Sequence, residues 1–282
     1  MVTRWCKQHT RMPVIVKLTP NVASILRPAA AAKRGGADAV SLINTVNSMM
    51  GVDIDAMTPW PPVGGMGTHG GMCGPVVKPI ALNMVADIAR NAETSSLPIS
   101  AIGGIEKWRD AVEYMALGAG NVQVCTAAMI YGFKIVEEMI AGLDAWMEEK
   151  GHSSIDDFRG LAAPKVTDWQ HLNLDYVVKA QIDQDLCISC GRCHIACEDT
   201  SHQAITSMVD GKRKFEVIEV ECVGCNLCAL VCPIENCITM VPLADGELDK
   251  RTGIKVGGHR TWMEHPNNPM AKAARKAKYE KA

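Results

Sequence analysis

Over roughly the first 150 residues, short apolar runs alternate with longer stretches of helical periodicity. Residues 13–18 (PVIVKL) form a β-branched run that closes on Thr19-Pro20-Asn21. An alanine-rich helix follows to about Lys33 and stops at Gly35-Gly36. The strand pattern returns at 39–43 (AVSLI), 98–102 (PISAI) and 121–125 (NVQVC). Helices are predicted from about Lys78 to Asn91, Lys107 to Leu117 and Phe133 to Lys150. The stretch from Gly51 to Pro75 is rich in Gly and Pro and reads as a long loop. Strands alternating with helices predict a parallel sheet.

Beyond this region the pattern changes. Residues 151–180 read as a polar connector, 181–243 as a second domain, and 244–282 as a polar tail expected to be poorly ordered, with a basic end (MAKAARKAKYEKA). The second domain repeats itself with an offset of 35 residues, the step from Cys187 to Cys222. Between its halves, Asp210-Gly211 separates two strand-like runs and predicts a hairpin.

The repeat carries the clearest chemistry in the chain. Cys187-Cys190-Cys193-Cys197 and Cys222-Cys225-Cys228-Cys232 are both C-x₂-C-x₂-C-x₃-C runs. This spacing cradles [4Fe–4S] clusters, and in two-cluster ferredoxins the fourth cysteine of each run reaches the other cluster. One cluster is therefore expected on Cys187, Cys190, Cys193 and Cys232, and the other on Cys222, Cys225, Cys228 and Cys197. Structural zinc uses separated C-x₂-C pairs or adds histidines, which is not this pattern. Pro233 follows the second run as in bacterial ferredoxins, while Glu198 takes that place in the first and changes only a turn residue. The domain is expected to be an α+β two-cluster ferredoxin-like fold passing single electrons.

Composition narrows the setting. A net charge of −2 with 48% hydrophobic residues argues against a nucleic-acid binder. Cys6, Cys73, Cys125 and Cys237 are scattered, which favours a reduced, cytoplasmic environment. No apolar run is long enough to span a bilayer. The first ten residues carry Arg4, Trp5 and Lys7 and do not read as a signal peptide.

A closed (β/α)₈ barrel needs eight units and about 250 residues. The four units visible here leave two possibilities, an open four-stranded sheet or the second half of a (β/α)₈ (TIM) barrel. Gly103-Gly104 closing one strand and Cys125-Thr126 closing the next match the way the last strands of barrels bind phosphate, through backbone N–H groups that glycine lets an anion approach. That chemistry selects the C-terminal half of a barrel.

The motifs VIVKLTPN (14–21), GGADAVSLINT (35–45), TPWPPVG (58–64), GGMCG (70–74), AIGGI (101–105) and NVQVCT (121–126), followed directly by the double cysteine run, resemble the dihydropyrimidine dehydrogenase family in its bacterial NAD-dependent form. The resemblance covers about residues 5–243. It implies an FMN-containing barrel, related to that of dihydroorotate dehydrogenases, which interconverts uracil or thymine and the 5,6-dihydropyrimidine. It also implies electrons relayed through the clusters, and a partner subunit holding FAD and the NADH site within an oligomer. By motif, Lys17 would contact the flavin ring, where a cation stabilises negative charge on the reduced pyrimidine edge. Gly74, Ile102, Gly103, Gly104, Cys125 and Thr126 would line the flavin and its phosphate. Asn44 and Thr45 would hold the substrate, since an amide offers the donor and acceptor that a pyrimidine edge needs.

The family's general-acid cysteine sits after an earlier strand, so its match would precede Met1 and no catalytic residue is expected in this chain. Cys6 falls on a helix and is no substitute, and Cys73 reads as a small loop or packing residue. Cys237 reads as buried and non-ligating. A chain beginning at Met1 would leave the first and last barrel strands with unpaired edges, which invite pairing with another chain, and the fragment alone is expected to have little activity. Two other readings stand beside this one: an electron-transfer iron–sulfur protein with a non-catalytic barrel remnant, and a dihydroorotate dehydrogenase-like enzyme.

Overall fold

Alternation along the strands sorts their side chains onto the two faces of one parallel sheet. The computed structural model describes residues 1–200, 202–265 and 267–273. These divide into two units, Met1–Val166 and Thr167 onward. In the first, strands β1 (Ile15–Lys17), β2 (Ala39–Leu42), β3 (Val46–Ser48), β4 (Gly51–Asp53), β5 (Thr58–Trp60), β6 (Gly70–Met72), β7 (Ile99–Ile102) and β8 (Asn121–Gln123) accompany helices α1 (Val2–His9), α2 (Leu26–Arg34), α3 (Lys78–Arg90), α4 (Trp108–Ala116), α5 (Thr126–Tyr131) and α6 (Ile135–Lys150). The main sheet has the order β1-β2-β7-β8, every pair parallel, with Lys17 opposite Ser41, Ser41 opposite Ser100 and Ile102 opposite Gln123. Four strands that neighbour one another in chain order, each followed by a helix, make an arc of a (β/α) barrel.

One face of this arc is the core. Val40, Leu42, Ile99 and Ala101 are buried there with Ala29 and Ala32 of α2, Val85 and Ile88 of α3, and Tyr114 of α4. Each fully buried Leu or Ile contributes roughly 1.5–3 kcal/mol relative to exposure. The alternate positions include the polar Lys17, Ser41, Ser100, Asn121 and Gln123. The Gln123 side-chain amide donates to the hydroxyls of Ser41 and Ser100, each at 2.8 Å, tying β8 across β7 to β2.

The region read as one long loop contains two short antiparallel ribbons, β3 with β6 and β4 with β5. Three-residue strands containing Gly and Pro offer no period-2 pattern to detect. The first unit also runs past the expected boundary at 150. The Gly160 and Ala162 N–H groups donate to the carbonyls of Met115 and Ala116, and buried Phe158 packs edge-on against Trp146 at 5.0 Å. The polar connector is therefore divided, its first half packed on the barrel arc and its end forming the first strand of the second unit.

That unit contains β9 (Val178–Ile182), α7 (Arg192–Glu198), β10 (Ile205–Val209), β11 (Lys212–Val217), α8 (Leu227–Val231), β12 (Ile238–Pro242), β13 (Leu248–Asp249) and β14 (Ile254–Lys255). Strands β9 and β12 pair antiparallel, as do β10 and β11. The hairpin turns at Asp210-Gly211, both residues having positive φ (50° and 72°), as a two-residue primed turn requires. The sequence repeat is also a backbone repeat. Gly191 and Asn226, 35 residues apart, hold φ of 84° and 66° just before α7 and α8.

Part of the tail expected to be disordered is built into the fold. The β13–β14 hairpin lies within it, and Asp249 is buried against the Lys179 ammonium at 2.7 Å. Lys179 also donates to the Cys222 carbonyl at 2.8 Å. A lone charge at 249 gave no sign in the sequence of its distant partner. The end of the basic tail, 274–282, lies outside the described residues. Burial opposes the Asp249 charge, but Lys179, the Thr252 hydroxyl and the Arg251 N–H overcome it and hold the pKa at about 2. Its folded value lies below its unfolded one, so the contribution is complete above the ordinary 3.8 and is lost as pH falls toward about 2. Asp249→Ala strands a buried ammonium and is expected to cost about 3 kcal/mol at neutral pH, measured by denaturant unfolding. An unchanged midpoint would show the pair to be immaterial.

Candidate functional site

The C-terminal ends of the four parallel strands open into one cleft. Lys17, Asn44, Thr45, Gly74, Ile102, Gly103, Gly104, Cys125 and Thr126, the nine residues expected from the sequence to hold flavin and substrate, all line it. Strand alternation turns Lys17 away from the helix-side core, and its amine meets no carboxylate among the described residues. The Asn44 N–H donates to the Leu18 carbonyl at 3.0 Å, which fixes where β2 hands over to the loop. The Asn44 amide oxygen accepts from the Thr45 N–H at 2.9 Å, leaving the amide's NH₂ as its open donor group. Asn21 braces this loop by donating to the Thr45 carbonyl at 3.1 Å and accepting from the Asn47 N–H at 2.9 Å.

The turn after β7 needs glycine twice. Gly103 and Gly104 have φ of 141° and 68°. A Cβ at Gly103 would sit 2.9 Å from the Ala81 Cβ, and one at Gly104 would sit 2.8 Å from the Gly74 carbonyl oxygen. Behind the turn, Lys78 pairs with Asp110 at 2.7 Å and Glu113 at 3.0 Å. Asp110 also accepts from the N–H groups of Glu106 and Lys107. Burial works against both charges of the Lys78–Asp110 pair. Their attraction and hydrogen bonds prevail, raising the Lys78 pKa and lowering that of Asp110.

Sequence reasoning missed several cleft residues: Met72, Glu106, Gln123 and Met129. Gln123 was within reach, because a polar residue between Val122 and Val124 must face away from the helix-side core. Cys73, read as a loop or packing residue, also lines the cleft and is exposed.

In the second unit the thiols gather into two apolar pockets. Cys187, Cys190, Cys193 and Cys232 line one, with Ile182, Phe215 and Ile238 around them. Cys197, Cys222, Cys225 and Cys228 line the other, with Ile205, Val217 and Met240. Each pocket thus takes three thiols from one run and the fourth from the other. The Ala204 N–H reaches the Cys197 sulfur at 3.2 Å. His194 Nδ1 donates to the Ile205 carbonyl at 2.6 Å, tying α7 to β10. Buried Cys237 also lines the first pocket; burial, then Cys232 and Cys187, push its thiol up to about 12. Among the described residues, no three His, Cys, Asp or Glu side chains are disposed to hold a single metal ion. Four thiols around an apolar cavity suit an iron–sulfur cluster, and an unpaired lysine sharing one cleft with a glycine turn suits an anionic flavin.

Comparison with known proteins agrees with this division. Residues 1–147 match the dihydroorotate dehydrogenase family model, and residues 180–240 match the 4Fe-4S dicluster domain. The NAD-dependent dihydropyrimidine dehydrogenase subunit PreA of Escherichia coli K12 is 38% identical over 269 residues, covering 94% of this chain and 62% of that protein. The dihydroorotate dehydrogenase B (NAD(+)) catalytic subunits of Pyrococcus horikoshii and Thermococcus kodakarensis are 45% and 42% identical over 161 residues, covering 57% of this chain and 50% and 51% of theirs. The chain therefore spans between half and about three fifths of the length of these relatives. The two family-model matches support FMN for the barrel part and [4Fe–4S] clusters for the dicluster part. By its first 147 residues the chain belongs to the dihydroorotate dehydrogenase family, here joined to a two-cluster ferredoxin domain.

Proposed function

We propose that the chain belongs to a cytoplasmic oxidoreductase of pyrimidine catabolism, interconverting uracil or thymine and the 5,6-dihydropyrimidine. The observation that carries this reading is the union of a flavin-type cleft and two four-thiol pockets in one chain, an order shared along 94% of the chain with the dihydropyrimidine dehydrogenase subunit. FMN, when bound, supplies hydride transfer at carbon and a junction between two-electron chemistry and the clusters' one-electron steps.

The residues of the chain provide the rest. Lys17 would present its unpaired ammonium to the negative charge that builds up on a reduced flavin's pyrimidine edge. Gly74, Ile102, Gly103, Gly104, Cys125 and Thr126 shape the flavin seat, with backbone N–H groups offered to its phosphate. The open Asn44 NH₂ donates to a pyrimidine carbonyl, and Thr45 closes that side of the cleft against Gly71, where a Cβ would lie 2.4 Å from the threonine hydroxyl. Cys187, Cys190, Cys193 and Cys232 hold one cluster, and Cys222, Cys225, Cys228 and Cys197 the other. A partner subunit would hold FAD and the NADH site, within an oligomer, and supply the electrons. No helix among the described residues is long and apolar enough to cross a membrane.

The likeness to dihydroorotate dehydrogenase B subunits gives a second reading, with dihydroorotate as substrate, but those alignments cover only 57% of the chain. The protein, loaded with flavin and handled anaerobically, is expected to lose its flavin colour slowly, over a single turnover in keeping with the little activity expected of this chain alone, with excess dihydrouracil and to keep it with dihydroorotate. The opposite response would transfer the assignment to the second reading. A protein that keeps its iron and acid-labile sulfide but takes up no flavin would favour a pure electron-transfer role.

A further inference from the structure

We propose that Tyr114, on α4, is a positioning residue for the phosphate end of the flavin: its hydroxyl sets the direction in which the Gly104 N–H points. The inference rests on the FMN reading and concerns how the chain prepares a place for the phosphate.

Tyr114 is completely buried, and its hydroxyl donates to the Gly103 carbonyl at 2.6 Å. The Lys78 carbonyl, at 3.4 Å, is the weaker acceptor for the single hydroxyl proton. A phenylalanine would fill the same space, so packing alone does not call for the oxygen. In a planar trans peptide the carbonyl and the following N–H point in opposite directions. Holding the Gly103 carbonyl toward α4 therefore turns the Gly104 N–H away from the core, on the side where Gly104 lines the cleft. Glycines at φ of 141° and 68° have little intrinsic preference that would fix this peptide plane. The hydrogen bond supplies what the residues themselves lack.

The other end of the turn is tied to the same helix. Asp110 accepts from the N–H groups of Glu106 and Lys107 at 2.9 and 3.1 Å, and Lys78 holds Asp110 in place. One face of α4 thus grips the segment 103–107 at both ends. Burial, reinforced by Asp110 and Glu113, raises the Tyr114 pKa, so the phenol remains a donor throughout the neutral range.

FMN and riboflavin share the ring system and differ at the phosphate, so they separate this role from general support of the fold. Flavin-free protein is titrated with each, following the quenching of flavin fluorescence. The unaltered protein is expected to prefer FMN. Tyr114→Phe is expected to weaken FMN about tenfold, the effect of losing one well-aimed donor to a charged group, while riboflavin affinity stays within about twofold. Unchanged riboflavin binding also shows that the variant is folded. Asp110→Asn, which loosens the other end of the turn, is expected to shift the same ratio, and it carries the test if Tyr114→Phe does not fold. An unaltered protein that prefers FMN, with variants that keep that preference or lose both flavins equally, overturns the inference alone. An unaltered protein that binds neither flavin removes the FMN reading and the inference with it.

Discussion

Replacing Cys197 with alanine is expected to abolish the cluster of the second cysteine run and leave that of the first intact. Cys197 belongs by sequence to the first run, yet its thiol lines the pocket of Cys222, Cys225 and Cys228. The swap follows from the fold: α7 carries Cys193 and Cys197 on one short helix, and the repeat places α8, with Cys228, in the matching position beside it. Among the described residues no fifth cysteine lines this pocket, so no spare thiol is at hand. Iron should fall from about eight to about four atoms per chain. The reduced protein should give the same paramagnetic spectrum as Cys225→Ala and a different one from Cys190→Ala. If Cys197→Ala instead groups with Cys190→Ala, each run holds its own cluster and the crossed arrangement is wrong. Cys232 makes a less clean test, because Cys237 shares its pocket.

The second large effect is expected at Lys17. A preorganised donor or charge aimed at developing charge is typically worth about 10²–10³ in rate, so Lys17→Met should slow flavin reduction by dihydrouracil by roughly two orders of magnitude. The flavin's midpoint potential should fall as well, because the cation favours the electron-rich state. Lys17→Arg should recover part of both effects, as it restores charge with a different shape. Stopped-flow reduction under anaerobic conditions and a redox titration measure the two quantities separately. A Lys17→Met protein with unchanged potential and rate would show that this amine, though it lines the cleft, does not face the flavin.

Much of this architecture was legible in the sequence because its signals are local. The four barrel strands lie where PVIVKL, AVSLI, PISAI and NVQVC place them, and the hairpin turns at Asp210-Gly211 as expected. Cysteine spacing defines the two thiol groups, and a 35-residue repeat brings the fourth cysteine of each run to its distant pocket. What escaped notice depends on partners far apart in the chain. Gln123 bridging Ser41 and Ser100, Tyr114 reaching Gly103, and Asp249 meeting Lys179 are polar contacts between separate elements, and no periodicity announces them. The ribbons β3–β6 and β4–β5 were hidden for another reason, since their exposed three-residue strands bury too little to leave an apolar pattern.

The proposed enzyme needs one flavin and two cubane clusters in this one chain. Anaerobic purification followed by chemical analysis tests that directly. About eight irons, an equal amount of acid-labile sulfide and about one FMN per chain are predicted. A colourless protein containing zinc, with neither sulfide nor flavin, would contradict it.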